Sequence, residues 1–120
     1  MQKKTLVLGA SVKEDRYANK AVKKLRANHI TVVAIGLKKG NIGDVFIETE
    51  KLSYPDIHTI TLYVGPQHQQ TYYTYILSLH PKRVLFNPGT ENAALVALLK
   101  ENNIESEVAC TLVLLATGQY

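Results

Sequence analysis

Four short turns hold the residues of this sequence best suited to chemistry. Each follows an apolar run and is built from glycine, proline or a small polar residue: Gly9-Ala10-Ser11, Gly36, Gly65-Pro66 and Asn87-Pro88-Gly89. Glycine lets a ligand come close to the backbone, and exposed N–H groups at such turns donate to phosphate oxygens. The first turn continues as Val12-Lys13-Glu14-Asp15-Arg16. It lacks the later glycines of the dinucleotide pattern G-x-G-x-x-G and offers instead a hydroxyl on Ser11 and cations on Lys13 and Arg16. The second turn reads Ile35-Gly36-Leu37-Lys38-Lys39, without the acidic residue that an NAD site sets against the ribose hydroxyls. Lysines there favour a phosphate on the ribose, which both CoA and NADP carry. Each turn taken alone is also what any α/β sheet needs, and a pair of exposed lysines is ordinary. Four turns converging on one end of a sheet argue for a ligand pocket.

Groups for bond-breaking chemistry are scarce. Ser11 has no histidine in its motif, and no G-x-S-x-G is present. Cys110 lies in the apolar run Val108-Ala109-Cys110-Thr111-Leu112-Val113 and reads as a buried, inert thiol. With a single cysteine no internal disulfide can form, which fits a reducing compartment. His29, His58, His68 and His80 show no metal-ligand spacing with it, so no metal is expected. Glu91 suits the first turn of a helix, and Tyr72, Tyr73 and Tyr75 suit a helix packed on a sheet.

These turns need a frame, and the hydrophobic pattern supplies one. Thr5-Leu6-Val7-Leu8 reads as a strand buried on both faces. From Arg16 to Asn28, Ala18, Ala21, Val22 and Leu25 form a helical stripe opposite lysines and Arg26. Ile30 to Ile35 is a β-branched strand, which completes a βαβ unit. Val45-Phe46-Ile47 suggests a short edge strand in an irregular stretch from 37 to 58. His58–Val64 predicts the third main strand, Gln67–Leu79 a helix, Arg83–Phe86 a fourth strand, and Ala94, Leu95, Leu98 and Leu99 the stripe of another helix. Ser106–Ala109 predicts a fifth strand, and Thr111–Ala116 fits a closing helix or a last strand. The expectation is a single α/β domain over residues 1–120: a Rossmann-like three-layer sandwich on a five-stranded, mostly parallel sheet.

The chain is 120 residues long, enough for one core and little more. Its apolar runs are too short for a membrane helix or a signal-peptide core, so a cytoplasmic protein is expected. The net charge of +4 suits a phosphate-rich ligand, and the basic residues form no run of a nucleic-acid-binding kind.

The motifs together resemble a known family. Leu6-Val7-Leu8-Gly9-Ala10-Ser11 with Asp15-Arg16, then Leu85-Phe86-Asn87-Pro88-Gly89-Thr90-Glu91-Asn92, then Ala109-Cys110-Thr111-Leu112-Val113 are similar to the small stand-alone bacterial CoA-binding proteins. Their domain is shared with the α subunit of succinyl-CoA synthetase. The resemblance runs from about Lys4 to Leu115. It implies that Gly9, Ala10, Ser11 and Arg16 hold the pyrophosphate region of CoA or an acyl-CoA. It places Ile35, Gly36 and Lys38 beside the adenosine, Val64, Gly65 and Pro66 on the floor, and Asn87, Pro88 and Gly89 on the far wall. The chain departs from the family at Ala34-Ile35-Gly36-Leu37, where relatives carry a Pro-Val-Asn-Pro-like segment, and at Tyr17, where proline is common. The ligase relatives need a second domain, for which this chain has no length, so binding without synthetase activity is expected. A small NADP-dependent oxidoreductase, or an interaction domain with a vestigial pocket, is the alternative. Partnership with a second copy or another protein stays open.

Overall fold

The computed structural model describes residues 3–120, so Met1 and Gln2 of the expected domain lie outside it. In chain order the strands are β1 (Thr5–Ala10), β2 (Val32–Gly36), β3 (Gly40–Ile42), β4 (Val45–Glu48), β5 (Thr59–Leu62), β6 (Arg83–Phe86) and β7 (Glu105–Val108). They form one sheet in the order β3-β4-β2-β1-β5-β6-β7, parallel throughout except for the β3–β4 pair. At its centre, Leu6, Val7 and Leu8 of β1 are fully buried. A strand covered on both faces cannot alternate apolar with polar residues, which is why this run is continuous.

Helices α1 (Tyr17–Ala27) and α5 (Thr111–Ala116) pack together on one face. There Ala18, Val22 and Leu25 close over Val7, Ala34 and Ile47. On the other face lie α3 (Tyr73–Leu79) and α4 (Ala93–Glu101), whose Tyr75, Ile76, Leu95 and Leu99 cover Leu6, Leu8, Ile60, Leu62 and Phe86. The result is the expected α/β Rossmann-like sandwich. Each fully buried leucine, isoleucine or phenylalanine contributes roughly 1.5–3 kcal/mol to holding these layers.

The sheet has seven strands, not five. The additional pair is the β3–β4 hairpin, closed by the two residues Gly43 and Asp44, with Gly43 at a φ of +59°. Arg26 of α1 grips Asp44 from outside at 2.8 Å. β4 is also not an edge strand: it sits between β3 and β2, and its Ile47 is fully buried. The predicted helix from Gln67 to Leu79 is broken into α2 (Pro66–Gln69), a 3-10 turn at Gln70–Tyr72, and α3. At the break, Gln69 turns inward and Lys51 donates to the carbonyl of Thr71. Thr111–Ala116 is a helix, so the open alternative resolves that way.

Between β4 and β5 the chain crosses as an irregular strap instead of a helix. Ile57 and Tyr54 pin the strap to the core, and the Tyr75 hydroxyl donates to the Leu52 carbonyl at 2.5 Å. At the far edge β7 exposes all four of its residues, Glu105 and Glu107 among them. Charge on an edge strand discourages pairing with another sheet.

Candidate functional site at the carboxyl ends of the strands

The chain runs from β1 outward to β2 on one side and later returns to place β5 on the other. The carboxyl ends of β1 and β5 therefore flank the point where strand order reverses, the usual ligand position in an open parallel sheet. Gly9 sits there in a bulge of β1: Leu8 pairs with Ile35 and Ala10 with Gly36, so one residue of β1 has no opposite number. Its φ is +102°, and a Cβ on it would lie 2.9 Å from the carbonyl carbon of Tyr63. A Cβ on Gly36 would lie 2.2 Å from the carbonyl oxygen of Ala10. Both glycines are therefore accounted for by the protein's own backbone, which crosses itself at this point.

After the bulge the chain turns into α1. The Ser11 hydroxyl accepts from the Lys13 amide at 3.1 Å, and the Ser11 carbonyl accepts from the Asn19 side chain at 2.9 Å. Asn19 is 2% exposed, and its side-chain oxygen has no hydrogen-bond partner among the described residues. Asn19 does not stand out in the sequence as a site residue. Its one signal is a polar residue three positions before Val22, on the buried stripe of an amphipathic helix. Arg16 stands at the N-cap without a side-chain cap bond, and the first turn of α1 carries no acidic residue. The open first-turn amides and the positive end of the helix thus meet the turn from Ser11 to Arg16. Glu14, in the same turn, is drawn to Lys23 at 3.2 Å. Lys13, Arg16 and Lys38 are exposed and enter no ion pair among the described residues.

The remaining predicted residues divide by burial. The Ile35 side chain is fully buried in the core, so only its backbone faces the turn. Ala10 is buried, Leu37 beside Lys38 is 91% exposed, Val64 and Gly65 are half-buried, and Pro66 begins α2 in the open. Asn87 points inward. Its amide donates to the Thr61 hydroxyl at 2.6 Å and the Leu62 carbonyl at 2.8 Å, and its oxygen accepts from the Thr111 amide at 2.9 Å. The Gly89 amide already donates to Glu91 at 2.8 Å. Buried Gln69 ties the Val64 carbonyl to the Thr90 carbonyl, so the turns after β5 and β6 are locked together. The turn after β6 is thus held by internal bonds, whereas Lys13 and Arg16 at the β1 turn and Lys38 at the β2 loop enter no ion pair among the described residues.

Residues 3–116 match the sequence profile described as the CoA binding domain. The chain belongs to that family. A crystal structure of a protein described only as uncharacterized superposes on this CoA-binding domain with a TM-score of 0.97 at 45% identity, covering 100% of this chain and 99% of that one. A Thermus thermophilus protein (TM-score 0.86, 19% identity, 99% of this chain and 91% of that one) has the same fold. So does a conserved hypothetical protein from Pyrococcus furiosus (TM-score 0.80, 23% identity, 94% and 98%). Among curated proteins none matches significantly.

Other chemistry-bearing groups of the CoA-binding domain are placed as follows. Cys110, expected to be buried, is instead half-buried, because it stands at the N-cap of α5 and not inside a strand. Burial pushes Tyr63 up to about 12, so it remains a neutral phenol at physiological pH. Among the described residues no three His, Cys, Asp or Glu are placed to hold a metal, and no helix is long and apolar enough to cross a membrane. At the opposite end of the sheet lies a groove of about 520 Å³, lined by Lys3, Asn28, His29, Ile30, Leu115, Gly118 and Tyr120. Near it the Arg83 guanidinium stacks on the Tyr120 ring and donates to the Thr59 hydroxyl. His58 bonds the same hydroxyl, and burial with the nearby Arg83, Lys3 and Lys82 holds it below the usual histidine range. A lowered folded-state value means that the unfolded chain binds the proton more readily, so stability is lost as pH falls through the ordinary histidine value. The thermal midpoint is expected to drop between pH 7 and pH 5 by more in the wild type than in His58→Gln. Parallel pH profiles of the two proteins would overturn this.

Proposed function

We propose that this protein binds CoA or an acyl-CoA at the carboxyl ends of β1 and β2, without synthetase activity of its own. One observation carries the reading: in a chain of the CoA-binding family, α1 presents an N-terminus with no side-chain cap to a turn holding Ser11, Lys13 and Arg16, and the two cations have no acidic partner among the described residues. Phosphate oxygens satisfy first-turn amides and cations at once. The Ser11 hydroxyl keeps its proton free to donate, since its oxygen accepts from Lys13. Lys38 follows the turn after β2 and suits the 3′-phosphate. The exposed Leu37 beside it offers apolar surface for the adenine. Gly9, Ala10 and Gly36 shape the crossing; Val64, Gly65 and Pro66, with Pro88 and Gly89, border the rest.

The test is isothermal titration of ligand-free protein with CoA, dephospho-CoA and NADP. CoA is expected to bind, and dephospho-CoA more weakly. Arg16→Ala should weaken CoA about tenfold, the size of one charge-assisted hydrogen bond. It should also flatten the salt dependence. Absence of CoA binding at millimolar concentration rejects the proposal, and tighter binding of NADP than of CoA moves it to a nicotinamide cofactor.

A further inference from the structure

We infer that Gly40 is a positioning residue: it leaves the space that Val12 fills, and this contact locks the turn after β1 to the loop after β2. The inference rests on the CoA reading for its ligand, and goes beyond it by saying what sets the spacing between the two groups of cations.

Gly40 opens β3, and its φ lies outside the left-handed region, so backbone conformation does not demand glycine there. Space does. A Cβ at Gly40 would stand 2.5 Å from Cγ1 of Val12, well inside any real contact, and 3.8 Å from its Cβ. No other heavy atom outside its two chain neighbours comes within 4 Å of that point. The glycine is explained by Val12 alone.

Gly40 has no room to retreat, and Val12, 47% exposed, relieves a clash only by changing rotamer or by shifting its turn. Gly40 pairs with Ile47 in the hairpin, and Ile47 is fully buried, so the strand cannot recede. Val12 is β-branched and stiff about χ1. Its neighbours are tied: Lys13 to the Ser11 hydroxyl, the Arg16 amide to the Lys13 carbonyl at 3.1 Å, and Asn19 to the Ser11 carbonyl. A push on Val12 is thereby passed to Ser11, Lys13 and Arg16. Lys38 and Lys39 directly precede Gly40 on the other side of the contact.

CoA carries a pyrophosphate and a ribose phosphate at a limited range of separations. A protein that reads both must hold its two cation groups at a matching distance, and small misplacements of a binding group are expensive. The Val12–Gly40 contact is a side-chain link between the two loops, and so makes Gly40 a determinant of selectivity for the 3′-phosphorylated ligand.

The experiment combines titration with amide exchange on the full chain. Gly40→Val should weaken CoA about tenfold and dephospho-CoA much less, narrowing the ratio between them, while the hydrogen-bonded Arg16 amide exchanges faster. Gly40→Ala should do the same more mildly. Adding Val12→Ala to Gly40→Ala leaves two Cβ atoms in ordinary contact, and should restore CoA affinity to within about twofold of wild type. Unchanged affinity ratio and unchanged Arg16 exchange in Gly40→Val overturn the inference, as does failure of the double variant to recover. If the wild type does not bind CoA, the ligand reading falls by itself. The exchange data then decide the brace: faster exchange in Gly40→Val with recovery in the double variant supports it, and unchanged exchange overturns it.

Discussion

Gly36→Ala is expected to destabilise the fold by about 3 kcal/mol or more, lowering the thermal midpoint by roughly 10 °C. The added methyl would stand 2.2 Å from the Ala10 carbonyl oxygen and 3.1 Å from Cγ2 of Ile47. The first of these is backbone at the end of the central strand, and it has no rotamer through which to escape. Relief requires β1 and β2 to part where Ala10 faces Gly36, beside the bulge at Gly9. Gly89→Ala makes a useful contrast. A Cβ there meets nothing within 4 Å, so its loss comes only from the φ of +92°, about 1–3 kcal/mol for a non-glycine residue held in that region. Thermal or urea unfolding of both variants checks the pair. A Gly36→Ala midpoint within about 2 °C of wild type would show that the crossing is looser than its geometry says.

Asn87→Leu is expected to lose about 2–5 kcal/mol, although leucine is close to asparagine in size. Asn87 is 2% exposed, and three of its hydrogen bonds reach two elements: Thr61 and Leu62 of β5, and the Thr111 amide that begins α5. Replacing it strands the Thr111 N–H and withdraws a donor from the Leu62 carbonyl in a buried place. An unmade buried bond is more costly than a made one is stabilising. Urea unfolding measures the loss. The same variant should lose protection from amide exchange across α5 first, because Thr111 is where that helix is fastened. A loss below about 1 kcal/mol would mean that water enters to replace the amide. Pro88→Ala, one residue on and exposed, is expected to change stability by less than about 0.5 kcal/mol.

These two residues mark where reading the sequence stopped. Asn87 and Gly36 stood out as turn residues at strand ends, which they are. Their sequence neighbours suggested ligand contact, and the tertiary structure gives both a prior duty: one fills a polar junction, the other makes room for a crossing strand. Both partners are remote in sequence, Thr111 for Asn87 and Ala10 for Gly36. Asn19 and Gln69 are buried amides whose roles show only in the folded chain. Asn19 is marked only by its place on the buried stripe of α1, and neither amide shows its role until its acceptors, Ser11 for Asn19 and Val64 and Thr90 for Gln69, are in place.

The frame itself was legible. Strands β1, β2, β5 and β6 are short apolar or β-branched runs because both of their faces are covered, and α1 shows its stripe because only one of its faces is. Burial imposes those patterns residue by residue, so composition along the chain is enough to reveal them. The motifs around Gly9, Asn87 and Cys110, in that order, were enough to suggest the family. What the sequence could not carry was whatever depends on a neighbour across the sheet. β3 has three residues, too few for a period, and exists because β4 offers it a ladder. β4 looked like an edge strand until β3 covered it. The helix from Gln67 to Leu79 has a continuous pattern but breaks where Gln69 and Lys51 find partners in other elements. Local burial is written into residue type, whereas pairing between distant segments is a property of the assembled chain, and the tertiary structure alone decides it.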